Sequence, residues 1–285
     1  MIHRRSFIKG MAFSTLAVGN GDFLLLKKQK IKVGLVTYQW AKDWDLPAII
    51  QNCKKSGIKG VELRTEHKHG VEPSLSAGQR KEVKQQFTDS GITLLGYGSN
   101  TQFDDPDPAV VRKNIDQAKV LLQLSHDIGG SGVKVKPNSF HEGVPHGQTL
   151  EQIGRSLNEL GSFADGLGQQ VRLEVHGRET QELPNIKSIL DVAVHPRVAI
   201  CWNCNPEDVN GKGLDYNFNL VKDRLGDTVH IHEMNNLGYP CADFIQLLKK
   251  NDYSGWLLLE CSSEPQDKVA AMTEQRNLWE KLIAG

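Results

Sequence analysis

Four short apolar runs in the second half of the chain each lead into a polar residue. The runs cover 171–174, 198–202, 228–232 and 256–260, and the polar residues are Glu174, Asn203, His232 and Glu260, at spacings of 29, 29 and 28 residues. Such a spacing holds one strand, one helix and two loops, and parallel strands need a crossover of this kind. The pattern therefore predicts a parallel sheet built from repeated strand–helix units.

The first half of the chain shows the same alternation. Apolar runs predict strands at 31–38, 59–63, 92–97 and 132–136, and helical spacing follows at 47–56, 75–89, 108–126 and 149–167. Further helices are predicted at 185–192, 216–223, 242–249 and 266–283. Eight strand–helix pairs without an internal linker predict one (β/α)8 TIM barrel over residues 31–285. A Rossmann sheet is disfavoured because no glycine-rich fingerprint follows the first strand.

Residues 1–30 differ in character from the predicted barrel. The segment His3-Arg4-Arg5-Ser6-Phe7-Ile8-Lys9 resembles a twin-arginine export signal, and a modestly apolar stretch at 10–19 follows it. That stretch is too short and too rich in glycine to span a bilayer as a stable helix. We expect an exported, periplasmic protein in which residues 1–30 serve as signal and linker. A cytoplasmic protein with a basic N-terminus is the alternative.

The balance of charge narrows the choice of partner. The chain has 34 basic and 34 acidic side chains, so its formal net charge is zero. Nothing in this balance favours nucleic acid or an anionic membrane surface as a partner. It favours a small neutral or weakly charged ligand, and it leaves a homo-oligomer open. The five cysteines allow one disulfide in an oxidising compartment without specifying the pair.

The four polar residues that end the apolar runs suggest a metal site. In a closed barrel the C-terminal ends of the strands meet at one mouth, where such barrels keep their chemistry. Glu174, Asn203, His232 and Glu260 would converge there. Two carboxylates, an amide oxygen and an imidazole form a plausible site for a divalent metal. Mn, Mg, Co and Zn all suit these donors.

Three strand ends carry a family likeness. The segments 173–177 (LEVHG), 230–235 (HIHEMN) and 255–260 (GWLLLE) resemble those of the xylose isomerase-like TIM barrel superfamily of sugar (phosphate) isomerases and epimerases. The resemblance covers nearly all of 31–285 and implies one divalent cation bound by Glu174, His232 and Glu260. The family's aspartate ligand falls on Asn203, and the histidine that often follows it falls on Pro206. Both departures imply a less charged site that binds metal more weakly.

The resemblance also implies a reaction. A divalent ion would act as a Lewis acid beside a sugar carbonyl, and Glu174 and Glu260 would serve as base and acid for the proton on the adjacent carbon. Lys136, at the end of the fourth strand, is a further catalytic candidate because its ammonium can polarise a carbonyl. Exported relatives of this family are associated with neutral sugars, including 3-keto-glycosides. We therefore expect a neutral sugar or keto-sugar as the substrate.

Five side chains are candidates for binding that sugar. His176 and His230 share strand faces with Glu174 and His232, and Glu62 lies near the end of the second strand. Trp40 and Trp202 can stack on a sugar face. Plainer roles stay open, because Glu62 can pair with a lysine and the tryptophans can pack in the core.

Three other functions remain as alternatives. A 3-keto-glycoside lyase or hydrolase would use the same base and metal to eliminate the glycosidic bond. A non-catalytic sugar-binding barrel would explain asparagine at a ligand position. A phosphodiesterase of the endonuclease IV type is disfavoured, because it needs more histidine and aspartate ligands and a basic surface.

Overall fold

The computed structural model describes residues 31–285, so the predicted export signal lies outside the described residues. Within them, eight parallel strands alternate with eight α-helices. The strands are β1 (Lys32–Val36), β2 (Gly60–Arg64), β3 (Thr93–Gln102), β4 (Gly132–Lys136), β5 (Gln170–Glu174), β6 (Val198–Cys201), β7 (Thr228–Ile231) and β8 (Trp256–Leu259). The helices are α1 (Leu46–Ser56), α2 (Ala77–Ser90), α3 (Pro108–Ile128), α4 (His146–Asp165), α5 (Leu183–Val192), α6 (Leu214–Val221), α7 (Cys241–Lys250) and α8 (Lys268–Ala284).

The strands form one sheet that curls into a barrel. The hydrogen-bonded order is β6-β5-β4-β3-β2-β1-β8-β7, with every neighbouring pair parallel. Between β6 and β7 the backbone N–H of His230 donates to the carbonyl of Trp202 at 2.7 Å, and that of Gly226 donates to Ile200 at 2.8 Å. These bonds join the two ends of the sheet. The predicted (β/α)8 barrel is confirmed.

Local signals in the sequence set where the helices begin and end. The Asp45 and Asp107 side chains accept hydrogen bonds from backbone N–H groups in the first turns of α1 and α3. Gly57 and Gly129 end the same helices with φ angles of 79° and 88°. A left-handed C-terminal residue costs glycine little, because glycine has no Cβ.

The helices cover the outside of the barrel with their apolar faces. Ile49 on α1, Leu157 on α4 and Phe244 on α7 are fully buried in this layer. Inside the barrel, alternate residues of each strand point to the centre. The outer layer therefore supplies the bulk of the hydrophobic core, and the barrel interior can accept polar groups.

Arg172 closes the barrel at the N-terminal ends of the strands. Its fully buried guanidinium donates to Gln170 Oε1 at 2.8 Å, to the Leu95 carbonyl at 3.2 Å and to Asp227 Oδ2 at 3.2 Å. Leu95, Trp256 and Leu258 belong to a separate apolar cluster beside it. Because these side chains fill the N-terminal end of the barrel, the space for a ligand lies towards the C-terminal ends of the strands.

Two other expectations concern cysteines and membranes. All five cysteines are buried free thiols, so the disulfide that the sequence allows is not formed. Across residues 31–285, none of the helices is long and apolar enough to cross a membrane.

Candidate active site

Two carboxylates from the ends of β5 and β8 meet near the barrel mouth. Glu174 is the last residue of β5 and Glu260 directly follows β8, with relative exposures of 1% and 6%. Ligating atoms of Glu174, His230 and Glu260 all lie within 4.8 Å of one another. The structure thus brings together the two glutamates that the sequence predicts, and it places His230, predicted as a sugar-binding residue, between them.

His230 bridges three carboxylates from inside the barrel. Its Nδ1–H donates to Glu260 Oε2 at 3.1 Å, and its Nε2–H donates to Glu62 Oε1 at 3.1 Å. Glu174 Oε1 lies 3.5 Å from Nδ1. Burial lowers the pKa of His230, but the neighbouring Cys201 thiol and the carboxylates of Glu260 and Glu62 outweigh burial and raise the pKa well above 6.5. An imidazolium with both N–H groups donating fits these contacts.

Two further cations hold the carboxylates in place. Lys134 Nζ donates to Glu174 Oε2 at 2.7 Å, and both side chains are almost fully buried. Arg64 donates to Glu260 Oε1 at 2.9 Å and to Asn100 Oδ1 at 3.0 Å. Burial raises the pKa of both glutamates, yet Lys134 and His230 hold the pKa of Glu174 well below 4.5, and His230 lowers that of Glu260. Both carboxylates are therefore ionised at neutral pH.

The charges of this ion cluster nearly cancel. Three carboxylates, those of Glu62, Glu174 and Glu260, face three cations, which are Lys134, Arg64 and the His230 imidazolium. Room for them comes partly from Gly98 on β3. A Cβ at that position would lie 2.8 Å from both Arg64 Cδ and Glu62 Oε1 and 3.5 Å from Lys134 Cε. We call these six charged residues the ion cluster.

Asn203 lies at the barrel mouth, and its two side-chain polar atoms differ in their hydrogen bonding. Its Nδ2–H donates to Asn205 Oδ1 at 3.2 Å, and Asn205 in turn donates to the carbonyl of Val175. Asn203 Oδ1 is buried and finds no hydrogen-bond partner within residues 31–285. A buried amide oxygen without a partner is costly unless a ligand uses it. This oxygen is thus suited to coordinate a cation.

His232 offers a second imidazole above His230. Its Nδ1–H donates to the backbone carbonyl of Glu260 at 3.1 Å, and the side chain is half-buried. Histidine ligands commonly donate one ring N–H to a carbonyl and coordinate through the other nitrogen. His232 has this arrangement, whereas both nitrogens of His230 donate to carboxylates. The imidazole within 4.8 Å of both glutamates is that of His230, so His232 and Asn203 as metal ligands beside Glu174 and Glu260 stay a prediction.

Lys136 and His176 lie beside Glu174 at the same mouth. Lys136 Nζ is 4.0 Å from Glu174 Oε2, and burial together with the charge of Lys134 lowers the pKa of its ammonium. Burial also lowers the pKa of His176, whose Nδ1 has no hydrogen-bond partner in the described part of the chain. Both predicted site residues are therefore near the carboxylates with polar atoms available.

The two predicted stacking tryptophans lie in the hydrophobic core. Trp40 is 2% exposed and donates through Nε1 to the Ser263 carbonyl at 2.9 Å. Trp202 is fully buried, stacks on Phe244 with ring centroids 5.4 Å apart, and donates to Tyr239 Oη at 3.1 Å. Their surroundings match the alternative of a packing role. Glu62, the other residue with a plainer alternative, belongs to the ion cluster through His230 rather than pairing with a lysine.

Sequence reasoning missed Lys134 and Arg64. Both lie on strand faces that already held a candidate, since Lys134 is two residues before Lys136 and Arg64 is two residues after Glu62. Alternation along a strand puts residues two apart on the same face. That signal was available in the Lys-Val-Lys and Glu-Leu-Arg triplets.

Comparison with known proteins identifies the family of the chain. The family model described as xylose isomerase-like TIM barrel matches residues 50–282. The chain belongs to this family. An L-ribulose 3-epimerase from Methylomonas sp. (strain DH-1) is 23% identical over 270 residues, which cover 88% of this chain and 92% of the relative.

Two solved structures in the family share the fold. A 3-keto-D-glucoside 4-epimerase from E. coli superposes with a TM-score of 0.74 at 16% identity, covering 89% of this chain and 100% of that one. A D-psicose 3-epimerase from Clostridium cellulolyticum H10 superposes with a TM-score of 0.72 at 15% identity, covering 88% and 99%. At these identities the likeness describes the barrel and not its substrate.

Proposed function

We propose that this chain is a sugar epimerase or isomerase that removes and returns a proton beside the carbonyl of a neutral sugar or keto-sugar. The observation that carries the proposal is the pair Glu174 and Glu260, which are buried, ionised and joined through His230 at the barrel mouth. Two carboxylates held close together can act on one carbon from two directions, as base and as acid. Membership of the xylose isomerase-like family supports the same class of reaction.

Residues of the ion cluster and the neighbouring Lys136 have separate roles in this proposal. Glu174 is ionised and accepts the proton from the carbon next to the carbonyl. Glu260 returns a proton to that carbon after drawing it from His230, whose Nδ1 lies 3.1 Å from Glu260 Oε2. Glu174 then passes the proton it accepted back to His230, whose Nδ1 lies 3.5 Å from Glu174 Oε1. Arg64 keeps Glu260 in place through its contact with Oε1. Lys136, whose Nζ lies 4.0 Å from Glu174, donates a hydrogen bond to the substrate oxygen that becomes negative.

A divalent ion is part of the proposal, with Glu174, Asn203, His232 and Glu260 as ligands. Bound there, it would supply Lewis acidity towards the carbonyl oxygen of the sugar. We prefer His232 to His230 as the imidazole ligand because its Nδ1–H is bonded to a backbone carbonyl, whereas both nitrogens of His230 are used by glutamates. Mn, Mg, Co and Zn all suit this donor set.

The proposed substrate class rests on relatives and on charge. The relatives are named for ribulose, psicose and a 3-keto-glucoside, which are uncharged ketoses or keto-sugars. The net charge of zero is consistent with an uncharged ligand. Removal of a proton beside the ketone of a keto-glycoside can also lead to loss of the glycosidic group, so product analysis separates an epimerase from a lyase.

Deuterium exchange tests the proposal directly. Wild-type protein supplied with Mn²⁺ in D2O should place deuterium on the carbon beside the carbonyl of L-ribulose, D-psicose or a 3-keto-glucoside, as detected by mass spectrometry. Glu174→Gln and Glu260→Gln should each slow exchange by about 10²- to 10⁴-fold, the usual contribution of a positioned acid or base. Glu151→Gln, on the exposed face of α4, is the control. Exchange at the wild-type rate in both site variants would refute the assignment.

A further inference from the structure

A fully buried lysine is hydrogen-bonded to the carboxylate that the proposed metal ion would need as a ligand. The Lys134 side chain has a relative exposure of 0%, and its Nζ lies 2.7 Å from Glu174 Oε2. Lysine is almost never fully buried unless it is paired, because burying a charge is costly. Glu174 supplies that pairing. The same glutamate is the ligand that β5 contributes to the proposed metal site.

We propose that Lys134 is an internal competitor of the divalent ion, because its ammonium holds the Glu174 oxygen that the ion would share. The inference rests on the proposed function in one respect, which is that Glu174 is a metal ligand. It adds that the affinity of the site is set by an intramolecular cation. Metal binding must displace the ammonium from Glu174 or share the carboxylate with it.

The charge of the ion cluster makes this competition strong. Its three carboxylates are already matched by Lys134, Arg64 and His230. Asn203 contributes an oxygen but no negative charge. A divalent ion added to this buried and nearly neutral group meets repulsion from every cation that stays in place, and repulsion is weakly screened in the interior.

Lys134 is the cation best able to give way. Arg64 is anchored at two points, on Glu260 at 2.9 Å and on Asn100 at 3.0 Å. His230 is fixed between Glu62 and Glu260. The lysine ammonium has one carboxylate partner at hydrogen-bond distance within residues 31–285 and sits on a flexible four-carbon stem. Lys134 is therefore the cation that the divalent ion would displace from the carboxylates.

Lys136 provides a matched control for this inference. It is the same residue type on the same strand face, two positions along β4, and its Nζ lies 4.0 Å from the same Glu174 oxygen. Its side chain is 14% exposed, whereas that of Lys134 is fully buried. Removing either lysine lowers the local positive charge by one, but removing Lys134 alone also frees the oxygen at hydrogen-bond distance.

The test measures Mn²⁺ affinity by titration calorimetry on chelator-treated protein. Lys134→Met should bind Mn²⁺ about 10- to 100-fold more tightly than the wild type. Groups that contact metal ligands change affinity by this amount, and here the sign is a gain because the ammonium competes with the metal instead of supporting its ligand. Lys136→Met should tighten binding by less than about 3-fold, because its ammonium is farther away and partly screened. Lys134→Arg, which keeps the charge, should not tighten binding.

Stability gives a second readout that does not depend on activity. Without metal, Lys134→Met leaves the buried Glu174 without its partner at hydrogen-bond distance on Oε2 and should unfold at a lower temperature. Mn²⁺ should raise the melting temperature of this variant by more than it raises that of the wild type, because at a given concentration a ligand that binds more tightly stabilises the folded protein more. Lys134→Gln keeps an N–H for Glu174 and replaces the methionine variant if the latter does not fold.

The outcomes separate this inference from the proposed reaction. Folded Lys134→Met and Lys134→Gln proteins that bind Mn²⁺ no more tightly than the wild type would overturn it, and so would an equal gain in Lys136→Met. Tighter binding in the Lys134 variants supports it even if the wild type exchanges no deuterium with any sugar. Conversely, wild-type exchange with unchanged affinity in the variants would support the reaction and refute the competition.

Discussion

Asp208 offers a quantitative test of the electrostatics behind the mouth. It lies in a 3₁₀ turn, Pro206–Val209, and is fully buried. Tyr239 Oη donates to its Oδ2 at 3.1 Å, and the Asn205 backbone also hydrogen-bonds to the carboxyl group. Burial raises the pKa of Asp208 to about 7, against the smaller opposing effects of the Tyr239 and Asn205 hydrogen bonds.

The raised pKa has a definite sign for stability. Between the unfolded value of 3.8 and the folded value of about 7, the folded protein holds a proton that the unfolded chain releases. The free energy of unfolding must therefore fall as pH rises through this window. One pKa unit is about 1.4 kcal/mol, so this carboxyl alone should lower stability by about 3 kcal/mol between pH 5 and pH 8.

Asp208→Asn removes the titration and keeps the shape of the side chain. The variant has no proton to lose, so its stability should not change with pH at this site. The advantage of the variant over the wild type should therefore grow by about 3 kcal/mol between pH 5 and pH 8. Urea unfolding followed by tryptophan fluorescence measures this, since Trp202 donates to the same Tyr239 hydroxyl.

The control is Asp215→Asn on the neighbouring helix α6, where the side chain is exposed. Its difference from the wild type should be the same at both pH values. Metal is removed with a chelator throughout, so that the site does not contribute. Parallel pH profiles for the wild type and Asp208→Asn would mean that Asp208 is ionised in the folded protein, and the reasoning from burial would then be refuted.

Two further predictions concern the ion cluster. Glu174→Gln leaves the Lys134 ammonium buried without a charged partner and should cost about 3–5 kcal/mol of stability. The double variant with Lys134→Met should lose clearly less stability than the sum of the two single losses. Additive losses in urea unfolding would contradict a strong interaction between the two side chains. Asn203→Asp restores a negative ligand and should tighten Mn²⁺ binding by about 10-fold or more in calorimetry, and an unchanged affinity would place Asn203 outside the ligand set.

The fold could be predicted because a repeated strand–helix unit leaves a strong pattern. Apolar runs at regular spacing and glycines after helices mark the units, and most predicted bounds agree with the structure to within a few residues. The largest difference is β3, which runs to Gln102 instead of ending at residue 97. Its continuation, Gly-Ser-Asn-Thr-Gln, is polar and lacks the apolar signal, yet it pairs with Lys136 through Gln102. Sheet pairing there overrides local preference.

The site was predictable only where a polar residue closes an apolar strand. Glu174 and Glu260 are of this kind, and the structure brings them together. Lys134 and Arg64 lie on the same strand faces as predicted residues, but a lysine or arginine in a strand is more often solvated than buried. Only the closed barrel determines which face of each strand points inwards. The roles of Trp40 and Trp202 could not be predicted, because a large aromatic side chain suits either packing in the core or stacking on a sugar.

Lys134 and Asn203 change the site in the same direction. The resemblance implies a carboxylate where Asn203 stands, and Lys134 adds a cation that the strand-end pattern did not include. Each change makes the neighbourhood of Glu174 less negative, so each should weaken the hold on a divalent ion and lower the basicity of Glu174. Displacing the Lys134 ammonium would reverse both effects at once, since Glu174 would lose the nearest group that holds its pKa low. Metal affinity and the basicity of Glu174 are therefore coupled through the Lys134 side chain. A variant that tightens metal binding by removing Lys134 should also raise the proton affinity of Glu174, which we propose as the base.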